Sequence, residues 1–146
     1  MAIINQKENS KFENDKDDNI FIGLDLPFRK SEGSEGYFSS TKTTIDSIKN
    51  NIRSLLLTNV GERLMQPTLG LNLKQYLFEP VTQDLKDTMS AEISDKFNFW
   101  LPFVNIKNLE INMDQNADNL NTLKINLKFS ISKDPNSLHS VQVDIN

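Results

Sequence analysis

The chain has 146 residues, of which 37% are hydrophobic and 25% are charged, values typical of one globular domain with its own core. The absence of cysteine excludes disulfides, thiol catalysis and thiolate metal sites. The net charge of −4 argues against a nucleic-acid partner, and no apolar run approaches the ~20 residues that a membrane-spanning helix needs. The N-terminus also lacks the apolar segment of a secretory signal.

The N-terminal region is polar and then briefly apolar. Residues 1–18 have mixed charge and predict an arm that is flexible or is ordered by a partner. Residues 20–28 are mostly apolar as far as Pro27, and they predict a strand or extended segment that packs on the domain. We therefore expect an arm at residues 1–18 and a single domain at residues 19–146.

A first helix is predicted from about residue 44 to residue 58. Its apolar stripe consists of Ile45, Ile48, Ile52, Leu55 and Leu56 at helical spacing. Thr43 can cap the N-terminus, and Asp46 three residues later resembles the acidic member of a capping box. Gly61 follows the last periodic residue, where a left-handed residue commonly closes a helix. We expect this helix to form a main part of the core.

Turns and a second helix follow. Pro67 bars a continuous helix, and Gly70 permits a sharp turn. The second helix is predicted over about residues 82–100, and its stripe consists of Leu85, Met89, Ile93, Phe97 and Trp100. We expect Trp100 to pack in the core at the end of this helix.

Beyond Pro102 the apolar residues alternate with polar ones, a period that predicts β-strands. The alternation changes parity near Asn108, which predicts a bulge or a break. A polar loop is predicted at residues 114–119, a strand at 123–131 and a turn at 133–137. The last strand is marked by Val141, Val143 and Ile145. The predicted fold class is α+β, with two main helices packed on one face of a mostly antiparallel sheet whose strands are concentrated in the C-terminal third.

The sequence offers little for catalysis. The only histidine is His139, so a Ser/His/Asp or Cys/His system is difficult to build. Glu62 and Glu79 flank the central turns and are candidates for the two carboxylates of a glycoside hydrolase. With 20 acidic residues in the chain, some pair will always lie near a turn. We predict no enzymatic activity, no cofactor and no metal, and we keep the hydrolase as the alternative.

Several segments occur in the order and spacing of a known family. They are residues 22–28, the helix at 45–57, TNVGER at 58–63, PTLG at 67–70 and LFEP at 77–80. On these segments the chain resembles the baseplate wedge proteins of contractile-tail phages. That family is often labelled "lysozyme-like" and is related to the sheath-initiating baseplate subunit of type VI secretion systems. The resemblance covers about residues 20–145.

The resemblance implies a structural role in the inner baseplate of a virion tail, with six copies around the tail tube and assembly in the host cytoplasm. The implied partners are the wedge subunits, the tail sheath protein and, as further candidates, tail tube or tube-initiator proteins. Family members offer a sheet edge to which the first sheath ring adds strands. The last strand, with Val141, Val143 and Ile145, is therefore expected to bind a partner. The alternative function is a tail-associated peptidoglycan hydrolase of the lysozyme type.

One position departs from the family pattern. Many family members carry a Glu-Pro-Arg tripeptide just after the second helix, which contacts the helical bundle of the wedge subunits. The matching residues here are Leu101, Pro102 and Phe103. The proline is kept, while apolar residues replace both charges. The resemblance therefore implies either an apolar contact with the wedge bundle at this tripeptide or a docking surface elsewhere.

Overall fold

A computed structural model describes most of the chain. The described residues are Phe12, Asp15 and the ranges 20–31, 36–115 and 121–146. The rest of the predicted arm at 1–18 and most of the predicted loop at 114–119 lie outside them. The fold divides into two compact units, Met1–Ile52 and Arg53–Asn146. The division of the chain into an arm and one domain stays a prediction.

The first unit contains a small antiparallel ribbon. Strand β1 (Gly23–Leu24) pairs with strand β2 (Ser40–Thr41). The Thr41 hydroxyl also donates a hydrogen bond to the Gly23 carbonyl oxygen at 3.2 Å. The extended segment predicted at 20–28 therefore contains a strand, although a short one. Its partner β2 was not predicted, because two polar residues carry no alternating apolar pattern.

Helix α1 (Thr44–Leu57) has a doubly capped N-terminus. The Thr43 hydroxyl oxygen accepts the Asp46 N–H at 3.2 Å and donates to the Asp46 carboxylate at 2.6 Å. The buried carboxylate of Asp15 accepts both the backbone N–H of Thr44 at 2.7 Å and its hydroxyl at 2.8 Å. Two helical amides that have no partner within the helix are thereby satisfied. The predicted cap and helix are confirmed, and the contribution of Asp15 is additional.

The second unit combines helices with one sheet. It holds the 3₁₀-helix Leu73–Phe78, helix α2 (Gln83–Trp100) and the strands β3 (Val104–Gln115), β4 (Asn121–Ile131) and β5 (Asp134–Ile145). The strands are antiparallel in the order β3-β4-β5, so β3 and β5 are the edges of the sheet that the described residues form. The α+β class and the strand-rich C-terminal third are confirmed.

The predicted irregularity in β3 is a shift of register between Ile106 and Asn108. Ile106 lies opposite Phe129, and after the shift Leu109 lies opposite Leu127. Since residues opposite each other point to the same face, the one extra residue returns the second apolar run to the same side as the first. The change of parity in the sequence is thus a bulge that keeps one continuous apolar face.

The core of the second unit is built from β4 and α2. Its fully buried members include Leu123, Ile125, Leu127, Phe129, Met89, Ile93 and Phe97. Helix α2 contacts β3, and the 3₁₀-helix contacts β4. Burying each large apolar side chain contributes about 1.5–3 kcal/mol before conformational entropy is subtracted. Trp100, expected in the core, is only partly buried, and its ring meets that of Phe99 edge-on at 5.1 Å.

The turn between β4 and β5 is shorter than predicted. It occupies residues 132 and 133, because β5 begins at Asp134, which pairs with Ile131. The prediction of a turn over 133–137 is therefore wrong beyond its first residue. Pro135 is tolerated because β5 is an edge strand, where a missing N–H need not break a ladder. The Asp134 carboxylate accepts a hydrogen bond from the Ser137 hydroxyl at 2.5 Å, a local bond within the first residues of β5.

Candidate functional site

The outer edge of β5 is the first candidate surface. On one side β5 pairs with β4, and on the other side it meets no strand among the residues that the structure describes. An edge of this kind presents backbone N–H and C=O groups to another chain. The predicted partner-binding residues Val141, Val143 and Ile145 lie on β5, but their side chains are buried. The surface therefore offers the backbone of β5 rather than these side chains.

The outer face of the sheet is polar. Lys124 on β4 forms an ion pair with Asp114 on β3 at 2.7 Å. The hydrogen bond and the charge of Asp114 raise the pKa of the Lys124 ammonium group. On β5 the amide of Gln142 donates to the Asp144 carboxylate at 3.1 Å. These groups are solvated, so the part of the outer face that they form offers no apolar surface for a partner. The candidate for strand pairing is therefore the edge of β5.

The tripeptide after α2 is the second candidate surface. Leu101 is buried, whereas Pro102 and Phe103 are exposed. The carbonyl oxygen of Phe103 accepts both the backbone N–H and the hydroxyl of Ser132, at 3.0 and 3.2 Å. These bonds tie the turn after α2 to the turn between β4 and β5. With Phe99, which is also exposed, Pro102 and Phe103 give the C-terminal end of α2 an apolar surface.

Residues 58–72, here called the central loop, carry the TNVGER and PTLG segments and have a dense set of internal bonds. The Thr58 carbonyl oxygen accepts the Leu71 N–H at 2.9 Å, and the Gly61 N–H donates to the Pro67 carbonyl oxygen at 2.8 Å. Both bonds close the base of the loop, so its tip is held at two points. Gly61 has a φ of +86°, in the left-handed region that glycine favours.

Side chains fix the two ends of the central loop. The Glu62 carboxylate accepts the Asn59 N–H at 2.8 Å, and the Asn72 side-chain oxygen accepts the Val60 N–H at 3.1 Å. A third bond comes from outside the loop: the Lys96 ammonium of α2 donates to the Thr68 carbonyl oxygen at 3.0 Å. The loop is therefore tethered to the C-terminal half of α2. Glu62, predicted as a candidate acid, serves here as an acceptor for backbone.

Two apolar side chains stand at the tip of the central loop. Leu64 is 96% exposed and Met65 is 93% exposed. Sequence reasoning missed them, because they fit neither a helical stripe nor a strand alternation. The signal available was an adjacent apolar pair between a turn glycine and Pro67, in a segment with no core-facing period. The sequence also predicts that Phe78, at the end of the 3₁₀-helix, faces the core, and this prediction is wrong because Phe78 is 84% exposed.

The second candidate acid, Glu79, lies in the wall of an open cleft of about 330 Å³. Its lining residues are Tyr76, Glu79, Pro80, Thr82, Asp84, Leu85 and Thr88. Glu62 is not among them, so this cleft does not bring the two predicted carboxylates together. Beside it the Tyr76 hydroxyl donates to the Glu92 carboxylate at 2.9 Å. Burial, followed by this hydrogen bond, raises the pKa of Tyr76.

The described part of the chain holds no group of three or more His, Asp or Glu side chains placed to bind a metal ion. Within the same residues, no helix is both long enough and apolar enough to cross a bilayer. His139 lies on β5, and its ring is 5.7 Å from that of Phe129.

The family of the Baseplate wedge protein gp25 matches residues 42–136, more than half of the chain. The chain belongs to this family. The matched range contains α1, the central loop, α2, the tripeptide at 101–103 and strands β3 and β4. It ends at residue 136, the third residue of β5, so Val141, Val143 and Ile145 lie outside the match.

Several known proteins are similar to this chain. The chain is 27% identical over 99 residues to the Baseplate wedge protein gp25 of Enterobacteria phage T4, a match that covers 68% of this chain and 73% of that protein. A proposed tail lysozyme from Geobacter sulfurreducens shares the fold with a TM-score of 0.60 at 18% identity, over 70% of this chain and 90% of that one. A chain of the baseplate of the anti-feeding prophage matches with a TM-score of 0.55 at 19% identity, over 83% and 81%.

Proposed function

We propose that this protein is a structural wedge subunit of a contractile-tail baseplate, and that it starts the sheath by accepting a strand at the edge of β5. Its family membership supports the coarser statement that it is a baseplate wedge component. The finer statement rests on one observation, the unpaired side of β5 among the described residues. Strand addition uses main-chain hydrogen bonds for the contact and exposed side chains for specificity.

The edge of β5 suits a designated partner. An exposed edge of 12 residues is a template for unwanted association unless something covers or interrupts it. Pro135 interrupts the start of the strand, while Ser140, Gln142 and Asp144 leave the later part polar on its outer face. The part from residue 138 onward is therefore the stretch that we assign to the sheath. Six copies around the tail tube would present six such edges in register.

The proposal includes no catalysis. Glu62 holds the backbone of the central loop, and the cleft that contains Glu79 does not contain Glu62. The purified protein should leave peptidoglycan intact, as measured by release of soluble fragments from labelled cell walls. Cleavage by the wild type that is abolished by Glu62→Gln or Glu79→Gln would establish the hydrolase instead.

We further propose that Pro102 and Phe103 dock on the wedge subunits. They are exposed, and Phe99 adds a third apolar side chain within the same five residues. Because Ser132 holds the Phe103 carbonyl, the surface has a fixed backbone. An apolar contact here would take the place of the ionic contact that the Glu-Pro-Arg tripeptide of the family provides.

Single-cysteine cross-linking tests the assignment of the sheath edge, since the chain has no cysteine of its own. Gln142→Cys on β5 and Asn112→Cys on β3 are a matched pair, because both side chains are exposed on edge strands. Each variant, labelled with a short photoreactive maleimide, is mixed with the purified sheath protein of the same tail. We expect a cross-link from residue 142 and none from residue 112. A cross-link from 112 alone, or from neither, would refute the assignment of β5.

A further inference from the structure

The tip of the central loop is an exposed apolar knob on a rigid base. We propose that Leu64 and Met65 insert into an apolar cleft of a neighbouring wedge subunit, an inference that rests on the proposed function and adds a second docking point to it. The two side chains are 96% and 93% exposed and adjacent in sequence. A contiguous apolar feature of this kind on a soluble surface commonly marks an interaction site.

The base of the knob is held in place before any partner binds. The hydrogen bonds from Gly61 to Pro67 and from Leu71 to Thr58 close the loop, and the Glu62 carboxylate accepts a backbone N–H at the start of the loop. A loop that is already ordered loses little conformational entropy on binding, so more of the burial energy appears as affinity. The exposed pair therefore combines two features of an interface anchor, an exposed apolar surface and an ordered backbone.

The position of the knob favours a wedge subunit as the partner. The Lys96 ammonium holds the Thr68 carbonyl, and Lys96 lies four residues before Trp100, the last residue of α2, which is about 6 Å along the helix axis. The loop is thus tethered near the end of α2 that carries Pro102 and Phe103, the surface assigned to the wedge subunits. Helix α2 contacts β3, whereas β5, the strand assigned to the sheath, is the opposite edge strand of the sheet.

A second copy of this chain fits the knob less well. The cleft that the described residues form beside α2 contains Glu79 and Asp84 in its wall, along with hydroxyl groups. Inserting Leu64 and Met65 there would remove water from carboxylates and hydroxyl groups, and apolar side chains offer no hydrogen bonds in exchange, which is unfavourable. The chemistry favours a different protein as the partner, one with a pocket lined by apolar side chains that the knob can enter.

Affinity measurements test the inference. The variant with Leu64→Ser and Met65→Ser should bind the purified wedge complex of the same tail at least about tenfold more weakly than the wild type, the loss expected for an anchor. Its thermal midpoint should be unchanged, because both side chains are exposed. Phe78→Ser is the matched control, since it removes an 84% exposed apolar side chain outside the loop, and it should bind like the wild type. Equal affinity of the double variant and the wild type, or an equal loss in Phe78→Ser, would overturn the inference.

Fluorescence provides an independent readout. An environment-sensitive dye on Met65→Cys should shift to shorter wavelength when the wedge complex is added, whereas the same dye on the exposed control Ala91→Cys should not. A shift induced by sheath protein or by self-association instead would contradict the assigned partner. If the wedge complex gives no shift while Gln142→Cys still cross-links to the sheath, only the knob is refuted. Failure of both would refute the proposed function as well.

Discussion

Gly70 is the residue on which the geometry of the central loop depends most directly. Its φ is +105°, and an added Cβ would overlap the carbonyl group of Thr58. Gly61 has a comparable φ of +86°, but a Cβ there meets nothing within 4 Å. A side chain at Gly61 therefore introduces backbone strain alone, whereas a side chain at Gly70 introduces both backbone strain and steric overlap.

Gly70→Ala should lower the free energy of unfolding by more than Gly61→Ala does. Backbone strain alone costs of order 1–3 kcal/mol, and only the Gly70 variant adds a collision with backbone that cannot move aside cheaply. Urea denaturation of the two variants measures the difference. Equal losses would show that the close approach to Thr58 contributes nothing.

Asp15 links a distant part of the chain to the start of α1. Asp15→Ala removes the acceptor for the Thr44 N–H and hydroxyl, and it should cost about 0.5–2 kcal/mol in the free energy of unfolding, as the loss of a cap does. Asp15→Asn keeps one acceptor oxygen and should recover part of that loss. Thermal denaturation of both variants is the measurement, and identical wild-type stability in both would contradict the cap.

At the scale of elements, Tyr76 joins the 3₁₀-helix to α2 through its hydrogen bond to Glu92. Tyr76→Phe should cost about 0.5–1 kcal/mol near neutral pH, the net contribution of one partly exposed hydrogen bond. The pKa of Tyr76 is raised above the ordinary 10.0 by burial and by Glu92. Its stabilising contribution is therefore complete below pH 10 and is lost as the pH rises through the folded-state pKa.

The pH dependence distinguishes this bond from simple packing. Above pH 10 the free energy of unfolding should fall more steeply in the wild type than in Tyr76→Phe. Tyr37 is present in both proteins and cancels in the comparison. Parallel pH profiles would show that the hydrogen bond from Tyr76 to Glu92 does not contribute to the free energy of unfolding.

The elements with a strong apolar period were predicted well. Both α-helices and the parity change near Asn108 follow from periodic burial, which the sequence displays directly. The ribbon strand β2 and the 3₁₀-helix were missed, because each is too short to show a period. The turn before β5 was overestimated, since Asp, Pro and Asn are turn residues in general but are also accepted at a sheet edge.

The surfaces proposed here for partner binding could be found from the sequence only in part. The sequence pointed to the strand of Val141, Val143 and Ile145, but alternation marks the side chains that face the core, while a partner strand would bind the backbone between them. Exposure of Leu64 and Met65 was not predictable, because it follows from bonds such as that between Gly61 and Pro67, which no local pattern encodes.

At the scale of the whole molecule, these buried side chains affect how partner binding can be tested. Val143→Asp should destabilise the protein by more than about 3 kcal/mol, because it places an unpaired charge in the core. Circular dichroism during thermal unfolding will show the loss. Reduced sheath binding by this variant would then reflect unfolding, whereas the surface variant Gln142→Lys should keep the wild-type thermal midpoint. A native midpoint for Val143→Asp would mean that Val143 faces outward.

Hydrogen exchange at β5 tests the central claim of strand addition most directly. In the free protein, the amides of residues 138–145 that point away from β4 should exchange quickly, because they have no partner among the described residues. Binding of the sheath protein should slow these amides and leave those of β3 unchanged, which serve as the internal reference. Unchanged exchange along β5 in a complex that has demonstrably formed, or protection of β3 in its place, would contradict the account.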